Sequence, residues 1–219
     1  MTSPWVVGPE PDQVITYGEH PDQVIEFYNS IGPLVTLIHG GYWKPAHTRE
    51  HMRALAAKLA ANGFKVANIE YRREPGNPTA LFEDVNSALD HLQESIALIG
   101  FSVGGQIALV SKSTAHKLIL LAPVTDLART KAEGLGENAV AQFFNGQDFA
   151  KFDPMQKDFD QHLYLIHGDA DDRVPLAHSR DFAKAKGASL MEITGANHFT
   201  VIDPEGLAFD LILHTLLSK

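Results

Sequence analysis

Short, mostly apolar runs alternate along the chain with segments of helical periodicity. The runs predict strands buried on both faces, and they lie at 34–38, 64–69, 96–99, 117–121, 163–166 and 190–193. Between the runs, apolar residues recur at helical spacing, so we expect helices to begin at Thr48, at Asn77-Pro78, just after Ser102, at Pro175 and at Asp203-Pro204. This alternation predicts an α/β fold, with a mostly parallel central sheet and helices on both faces.

Two segments depart from this alternation. The sequence Pro-Asp-Gln-Val-Ile occurs at 11–15 and again at 21–25, and each copy runs into an apolar/polar alternation. We expect these copies to form two antiparallel strands at a sheet edge. Residues 123–161 have scattered Gly, Asp and Phe without a sustained period, which predicts a small irregular cap over one end of the sheet. Residues 1–219 are expected to form a single domain.

Composition excludes several classes of protein. The net charge of −9 disfavours a nucleic-acid-binding surface and an anionic membrane as partner. The absence of cysteine excludes disulfides, thiolate metal sites and a cysteine nucleophile. The N-terminal residues lack the pattern of a secretory signal, and no apolar run is long enough to span a membrane. We therefore expect a cytoplasmic protein acting on a small molecule, whose oligomeric state stays open.

One stretch carries a chemical signature. Gly100-Phe101-Ser102-Val103-Gly104 lies between a predicted strand and a predicted helix, which is the context of the G-x-S-x-G nucleophile elbow. Glycines flank the serine because side chains there would collide with the neighbouring strand and helix. The amides that open the helix would face a developing oxyanion. Ser102 is therefore the candidate nucleophile.

A serine nucleophile needs a base and an acid that orients it. His198 follows the last predicted strand, and is the candidate base among eleven histidines. The acid should follow the preceding strand, where Asp169, Asp171 and Asp172 compete. The chain order of serine, aspartate and histidine is that of α/β-hydrolases.

The chain resembles the kynurenine formamidase and hormone-sensitive-lipase-like esterase branch of the α/β-hydrolases. Four motifs carry the resemblance: His39-Gly-Gly-Tyr-Trp43, Glu70-Tyr-Arg72, Gly100-Phe-Ser-Val-Gly-Gly105 and His167-Gly-x-x-Asp171-x-x-Val-Pro175. The last motif selects Asp171 as the acid.

The same resemblance implies an oxyanion hole formed by the amides of Val103, Gly41 and Tyr42. We further assign Tyr42, Trp43 and Phe101 to the substrate pocket, although Trp43 could equally belong to the core. Val103 stands where the formamidase branch usually has a small residue, and we expect its side chain to narrow the acyl site.

The predicted function is that of a serine acyl hydrolase that needs no cofactor or metal. It would cleave small-acyl esters or N-formyl aryl amides, as an arylformamidase does; a general short-chain carboxylesterase is the alternative. Two other hypotheses are a zinc hydrolase, because His47-Thr-Arg-Glu-His51 fits H-x-x-E-H, and a catalytically silent binding protein. Arg72 and Asp84 are expected to form a structural ion pair.

Overall fold

Eight strands form one sheet in the order β1-β2-β4-β3-β5-β6-β7-β8. The computed structural model describes residues 5–92 and 94–218. The strands are β1 Gln13–Thr16, β2 Val24–Tyr28, β3 Leu34–Ile38, β4 Lys65–Ile69, β5 Ala97–Phe101, β6 Lys117–Leu121, β7 His162–Gly168 and β8 Ser189–Ile193. Every predicted strand is present, with bounds that differ by a few residues at most.

The sheet is parallel from β4 through β8, and antiparallel only where β1 pairs with β2 and β2 with β4. The repeated sequence forms the expected hairpin at the sheet edge, with Val14 opposite Glu26. In β3 and β5 every residue is buried, as expected for strands covered on both faces. The predicted mostly parallel sheet is confirmed.

Seven α-helices cover the two faces of the sheet within the described residues. They are α1 Arg53–Ala61, α2 Pro78–His91, α3 Val103–Val110, α4 Leu127–Ala132, α5 Leu135–Phe144, α6 Leu176–Lys186 and α7 Leu207–Leu217. Helices α1 and α7 contribute to the core on one face, and α2 to α6 contribute to the core on the other. Successive strand residues alternate between the two cores: Leu120 packs in one and Leu121 in the other.

One predicted helix start is confirmed although its side-chain cap bond is missing, and another is wrong. Asn77 precedes α2 as expected, but its side chain makes no cap hydrogen bond and instead donates to Glu74 Oε2 at 2.8 Å. Asp203-Pro204 does not begin the terminal helix, which follows Gly206 as its N-cap. A 3₁₀ turn at Thr200–Ile202 takes up the preceding residues, and the Asp203 carboxylate accepts from Glu205 N at 3.0 Å within the connecting turn.

The segment 123–161 contains α4, α5 and two 3₁₀ turns. It is tied to the sheet layer through α3, because Gln106 Nε2 donates to the Phe152 carbonyl at 2.7 Å. The start of α5 is unusual: Gly136, Glu137 and Asn138 all have positive φ, between 63° and 65°. These left-handed residues form a tight turn that leads into the regular part of the helix.

No helix within residues 5–92 and 94–218 combines the length and apolar character needed to cross a bilayer.

Candidate active site

Ser102 occupies a strained turn between β5 and α3. Its φ and ψ are 55° and −121°, a conformation that non-glycine residues adopt rarely and that proteins retain mainly at functional sites. The flanking glycines are required by packing. A Cβ at Gly100 would lie 2.3 Å from the Gly104 carbonyl oxygen, and one at Gly104 would lie 2.2 Å from the Ile38 carbonyl oxygen.

The structure brings Ser102, His198 and Asp171 into one hydrogen-bonded chain. His198 Nε2 lies 3.1 Å from Ser102 Oγ, and its Nδ1 lies 2.7 Å from Asp171 Oδ2. Asp171 comes from the loop after β7, and His198 comes from the loop after β8. Since the carboxyl ends of parallel strands share one edge of the sheet, residues far apart in sequence meet there.

The Asp171 carboxylate is buried and accepts four hydrogen bonds. Oδ1 accepts from the backbone amides of Arg173 and Val174 at 2.8 and 2.9 Å. Oδ2 accepts from His198 and also from His167 Nε2 at 3.1 Å. Burial alone would raise the pKa of Asp171, but the hydrogen bonds from His167 and His198 outweigh it and hold this pKa below its ordinary value. The carboxylate therefore stays ionised beside His198.

His167 is a contact of Asp171 to which the sequence analysis gave no role of its own. Its Nε2 faces two acceptors, the Val174 carbonyl at 2.9 Å and Asp171 Oδ2, so this nitrogen carries the proton. Its Nδ1 lies 2.7 Å from Ser179 Oγ. The ring is fully buried, and it contacts the same carboxylate oxygen as His198 does.

The other two aspartates of this loop have different partners. Asp169 Oδ1 accepts from Gly195 N at 2.6 Å, which ties the loop after β7 to the loop that carries His198. Asp172 is exposed and lies 3.5 Å from Arg173 Nε. Neither carboxylate contacts His198, so the position of Asp171 agrees with its selection from the motif.

The candidate oxyanion amides are free to bind a ligand. Among the described residues, no hydrogen bond is donated by the amides of Gly41, Tyr42 or Val103. The neighbouring Gly40 amide is already used, since it donates to His51 Nε2 at 3.3 Å. Val103 is also the first residue of α3, where helix amides point outward without intrahelical partners.

A buried ionic cluster supports the loop that carries Gly41. Both His39 nitrogens lie near oxygen acceptors, with the Gly40 carbonyl 2.8 Å from Nδ1 and Glu70 Oε1 2.7 Å from Nε2. Arg73 contacts the same carboxylate oxygen, and the Arg49 amide donates to the other at 3.0 Å. Burial alone would raise the pKa of Glu70. The contacts with His39, Arg73 and the Arg49 amide outweigh this effect and hold the pKa well below its ordinary value.

A cavity of about 630 Å³ opens above Ser102. Tyr42 and Phe101 line it as predicted, whereas Trp43 does not. Trp43 is 1% exposed and stacks on Phe143 at 5.3 Å. The assignment of Trp43 to the pocket is therefore wrong, because the loop turns its ring into the core beneath the cap segment.

Val103 also needs correction. Its side chain is fully buried and belongs to the core between the sheet and the helices, so it lines no part of the cavity. The expectation that Val103 narrows the acyl site is wrong, because the first turn of α3 directs this side chain inward.

Several residues of the cavity wall were not predicted from the sequence. They come from the N-terminal segment, from the turn before and within α5, and from the loops after β3, β7 and β8: Trp5, Lys44, Gly134, Leu135, Gly136, Glu137, Arg173 and Phe199. Lys44, Arg173 and Phe199 lie in or beside a recognised motif. The others lie far from Ser102 in sequence, and no local pattern marks them.

The alternative zinc site is not formed. His47 precedes Thr48, the N-cap of the first helical turn, so His47 and His51 do not share a helix face. His51 Nε2 accepts from the Gly40 amide instead. No cluster of three or more potential metal-ligating side chains occurs within the part of the chain that the structure describes.

Arg72 and Asp84 form the expected ion pair away from the cavity. Arg72 donates to Asp84 through Nε at 2.8 Å and through Nη2 at 2.6 Å. Asp84 is 1% exposed, and Gln23 Nε2 donates to it at 2.7 Å. The ion pair joins α2 to the segment after β4, while Gln23 adds a contact from the turn between β1 and β2, so the role of the pair is structural.

Solved structures share this architecture. Esterase B from Lactobacillus rhamnosis, in a complex with a tributyrin phosphonate, is 19% identical; the alignment covers 95% of this chain and 87% of that one, with a TM-score of 0.77. Esterase 2 from Thermogutta terrifontis, phosphonylated by sarin, is 20% identical over 94% of both chains, with a TM-score of 0.75. These similarities establish the α/β-hydrolase fold.

A family model gives a closer relationship. The BD-FAE model matches residues 28–163, which is more than half of the chain. The chain belongs to the BD-FAE family. No curated protein matches this BD-FAE chain significantly. The matched region includes the Gly41 loop, the Ser102 elbow and the cap segment, while Asp171 and His198 lie beyond it.

Proposed function

We propose that this BD-FAE protein is a serine ester hydrolase with Ser102 as nucleophile, His198 as general base and acid, and Asp171 as the orienting carboxylate. The observation that carries the proposal is the continuous chain from Ser102 Oγ through His198 to Asp171 beneath an open cavity. Uncommitted amides at Gly41, Tyr42 and Val103 lie on the elbow and on the loop beside it.

The geometry supports the following mechanism. Ser102 Oγ attacks the ester carbonyl carbon while His198 Nε2 takes the hydroxyl proton, and the backbone amides stabilise the resulting oxyanion. His198 then gives this proton to the leaving alkoxide oxygen as the carbon–oxygen bond breaks. Water attacks the acyl-enzyme and gives its proton to His198, which returns it to Ser102 as the acid departs. Asp171 keeps the Nδ1 proton of His198 in place throughout.

We infer that the substrates are small-acyl esters of aromatic alcohols. Three aromatic side chains line the cavity near Ser102: Trp5, Phe101 and Phe199. Tyr42 forms another wall of the same cavity. Its hydroxyl donates to the Arg173 carbonyl at 2.8 Å. The Tyr42 ring also packs against Gly136, where a Cβ would lie only 2.6 Å from it. This wall limits the length of the acyl chain.

A second candidate activity is hydrolysis of N-formyl aryl amides. The specific observation in its favour is the His39-Gly-Gly-Tyr-Trp43 motif, which resembles that of the kynurenine formamidase branch and lies beside the elbow. A formyl group is the smallest acyl group, and an arylamine presents the same flat ring as an aryl alcohol. The same mechanism would apply, with nitrogen as the leaving atom.

The decisive experiment combines labelling with a substrate series. A fluorophosphonate probe should label wild-type protein at Ser102, and Ser102→Ala should lose both the label and at least about 10³-fold of the turnover of phenyl acetate. Circular dichroism should show that the variant stays folded. Labelling at another residue, or retained turnover in the folded variant, would contradict the assignment of the nucleophile.

The substrate class is tested with phenyl acetate, phenyl butyrate, phenyl octanoate and N-formylaniline under one set of conditions. We expect kcat/KM to fall from acetate to octanoate, because each methylene that does not fit costs about 1–3 kcal/mol. An increase towards octanoate would refute the small-acyl proposal. A rate on N-formylaniline no higher than that of Ser102→Ala would exclude the formamidase activity.

A further inference from the structure

We propose that residues 5–12 form a strap that carries Trp5 into the cavity, where Trp5, His51, Phe101 and Phe199 make a subsite for a planar aromatic leaving group. This inference rests on the proposed ester hydrolase function and assigns the subsite that selects the alcohol. It depends on four observations: the anchoring of the strap, the aromatic contacts, the uncharged character of the walls and the position of the subsite beside His198.

The strap is anchored at successive residues. Gly8 lies against the start of α1, where a Cβ would come within 2.2 Å of the Ala54 backbone nitrogen. The Pro9 carbonyl accepts from Tyr28 Oη at 3.0 Å, and Glu10 Oε1 accepts from Arg53 Nη1 at 2.6 Å. These contacts fix the direction in which the chain approaches the cavity, and so fix where Trp5 lies.

Trp5 packs on two aromatic residues of the cavity. Its ring centroid lies 5.4 Å from that of His51 in an edge-on arrangement and 5.8 Å from that of Phe199. Phe101 completes the group, at 5.7 Å from His51 and 6.2 Å from Phe199. Trp5 is only partly buried and lines the cavity. It therefore keeps ring surface available for a ligand, with which edge-on or offset contacts are favourable.

The walls of this subsite carry no charge. Burial, together with nearby His39 and His47, holds the pKa of His51 well below its ordinary value. The ring is neutral, and the Gly40 amide donates to its Nε2, so the proton lies on Nδ1. The charged side chains of the cavity, Lys44, Glu137, Asp172 and Arg173, come from other loops and include the Lys44–Glu137 ion pair. An uncharged aromatic ligand fits the Trp5 side without desolvating a charge.

The position of the subsite identifies which part of an ester it binds. The His198 ring lies 4.9 Å from Phe101 and 5.5 Å from Phe199. In the proposed mechanism His198 gives its proton to the leaving oxygen, so the leaving group occupies the space beside this imidazole. The aromatic subsite therefore receives the alcohol ring, while the Tyr42 wall faces the acyl group.

The first test compares two acetates in the full-length protein. For Trp5→Ala we expect kcat/KM for 2-naphthyl acetate to fall by about 10-fold or more, while kcat/KM for 2,2,2-trifluoroethyl acetate stays within about twofold. Trp5→Phe should lie between the wild type and Trp5→Ala. Val7→Ala is the matched control, because Val7 lies on the same strap and is 78% exposed. Equal losses on both esters, or no loss on either, would overturn the proposal.

The second test needs no turnover. Trp5 and Trp43 are the two tryptophans of the chain, and Trp43 is buried in the core. In Ser102→Ala, 4-nitrophenol should quench the tryptophan fluorescence saturably, and adding Trp5→Phe should abolish this quenching. Saturable quenching that persists without Trp5 would overturn the subsite. Absence of any Ser102-dependent ester hydrolysis would refute the proposed function instead, and the titration would still decide whether the subsite exists.

Discussion

Replacing Asp171 with asparagine keeps the shape of the side chain and changes its hydrogen bonding in a way that the structure defines. Oδ1 accepts two backbone amides, at Arg173 and Val174, so the asparagine carbonyl oxygen must take that position. The new amide nitrogen then replaces Oδ2, which lies 2.7 Å from His198 Nδ1 and 3.1 Å from His167 Nε2. A donor stands where an acceptor is required.

The consequence is the wrong tautomer of His198. An amide nitrogen can bond to His198 Nδ1 only if that atom is unprotonated, which moves the ring proton to Nε2. Nε2 faces Ser102 Oγ and can then no longer accept its proton. We expect Asp171→Asn to lower kcat on phenyl acetate by about 10⁴-fold, or about 5 kcal/mol. The His167 proton also loses an acceptor, although the Val174 carbonyl keeps part of that bond.

Two neighbouring aspartates provide matched controls. Asp169→Asn retains a carbonyl oxygen for the Gly195 amide, and Asp172 is exposed, so each variant should keep kcat within about threefold. The assay is initial-rate hydrolysis of phenyl acetate, with the thermal midpoint of each variant measured in parallel. If folded Asp171→Asn kept a tenth of the wild-type kcat, or if Asp169→Asn were the more damaging change, the tautomer argument would be refuted.

Two further variants test the support around the elbow. Gly104→Ala should lower the free energy of unfolding by about 1–3 kcal/mol, together with kcat, because its Cβ would lie 2.2 Å from the Ile38 carbonyl oxygen; an unchanged denaturation midpoint would contradict this. Glu70→Gln should cost about 3–5 kcal/mol, since it leaves His39 and Arg73 without their shared carboxylate. Because folding lowers the pKa of Glu70 from its ordinary value of 4.5, its stabilisation is fully present above about pH 4.5 and is lost progressively as the pH falls from there towards the folded-state pKa. Urea unfolding between pH 3 and 7 should therefore show a shallower acid loss in Glu70→Gln than in wild type, and parallel curves would count against the assigned role.

The strands and the Ser102 elbow could be predicted from local sequence patterns, because each depends on residues that lie close together in the chain. An apolar run such as 118–121 favours a strand covered on both faces, which is typical of a parallel sheet flanked by helices. Gly100 and Gly104 are fixed by contacts within a single strand–turn–helix unit, so the Ser102 elbow was readable from a few residues. Asp171 and His198 follow strands whose order along the sheet fixes where the loops meet.

The cavity wall was less predictable, because it depends on which way a side chain turns once distant segments pack. Trp43 and Val103 were both expected to shape the pocket, and both point into the core. Trp5 was given no role, since nothing near it in sequence indicates that the chain passes the start of α1 and that the Trp5 ring packs on His51. Only the tertiary path of the chain contains that information.

Several parts of the chain hold the loop of Gly41, Tyr42 and Trp43, whose first two backbone amides are the proposed oxyanion donors. Gly41, Tyr42 and Trp43 all have positive φ, at 114°, 48° and 56°, and the two aromatic residues pay a conformational cost for it. Each is held by a different element: Tyr42 by its hydrogen bond to the Arg173 carbonyl, and Trp43 by stacking on Phe143 of the cap segment.

The loop therefore connects three regions that take part in the proposed reaction. Its Gly40 amide is bound by His51 beside the aromatic subsite, Tyr42 ties it to the loop that carries Asp171, and Trp43 ties it to α5. A shift in any of these regions would displace the Gly41 and Tyr42 amides relative to Ser102. Since oxyanion stabilisation requires donors held at about 2.7–3.1 Å from the reacting oxygen, the proposed mechanism implies that the segment 123–161 influences catalysis through this loop as well as through the residues that it contributes to the cavity.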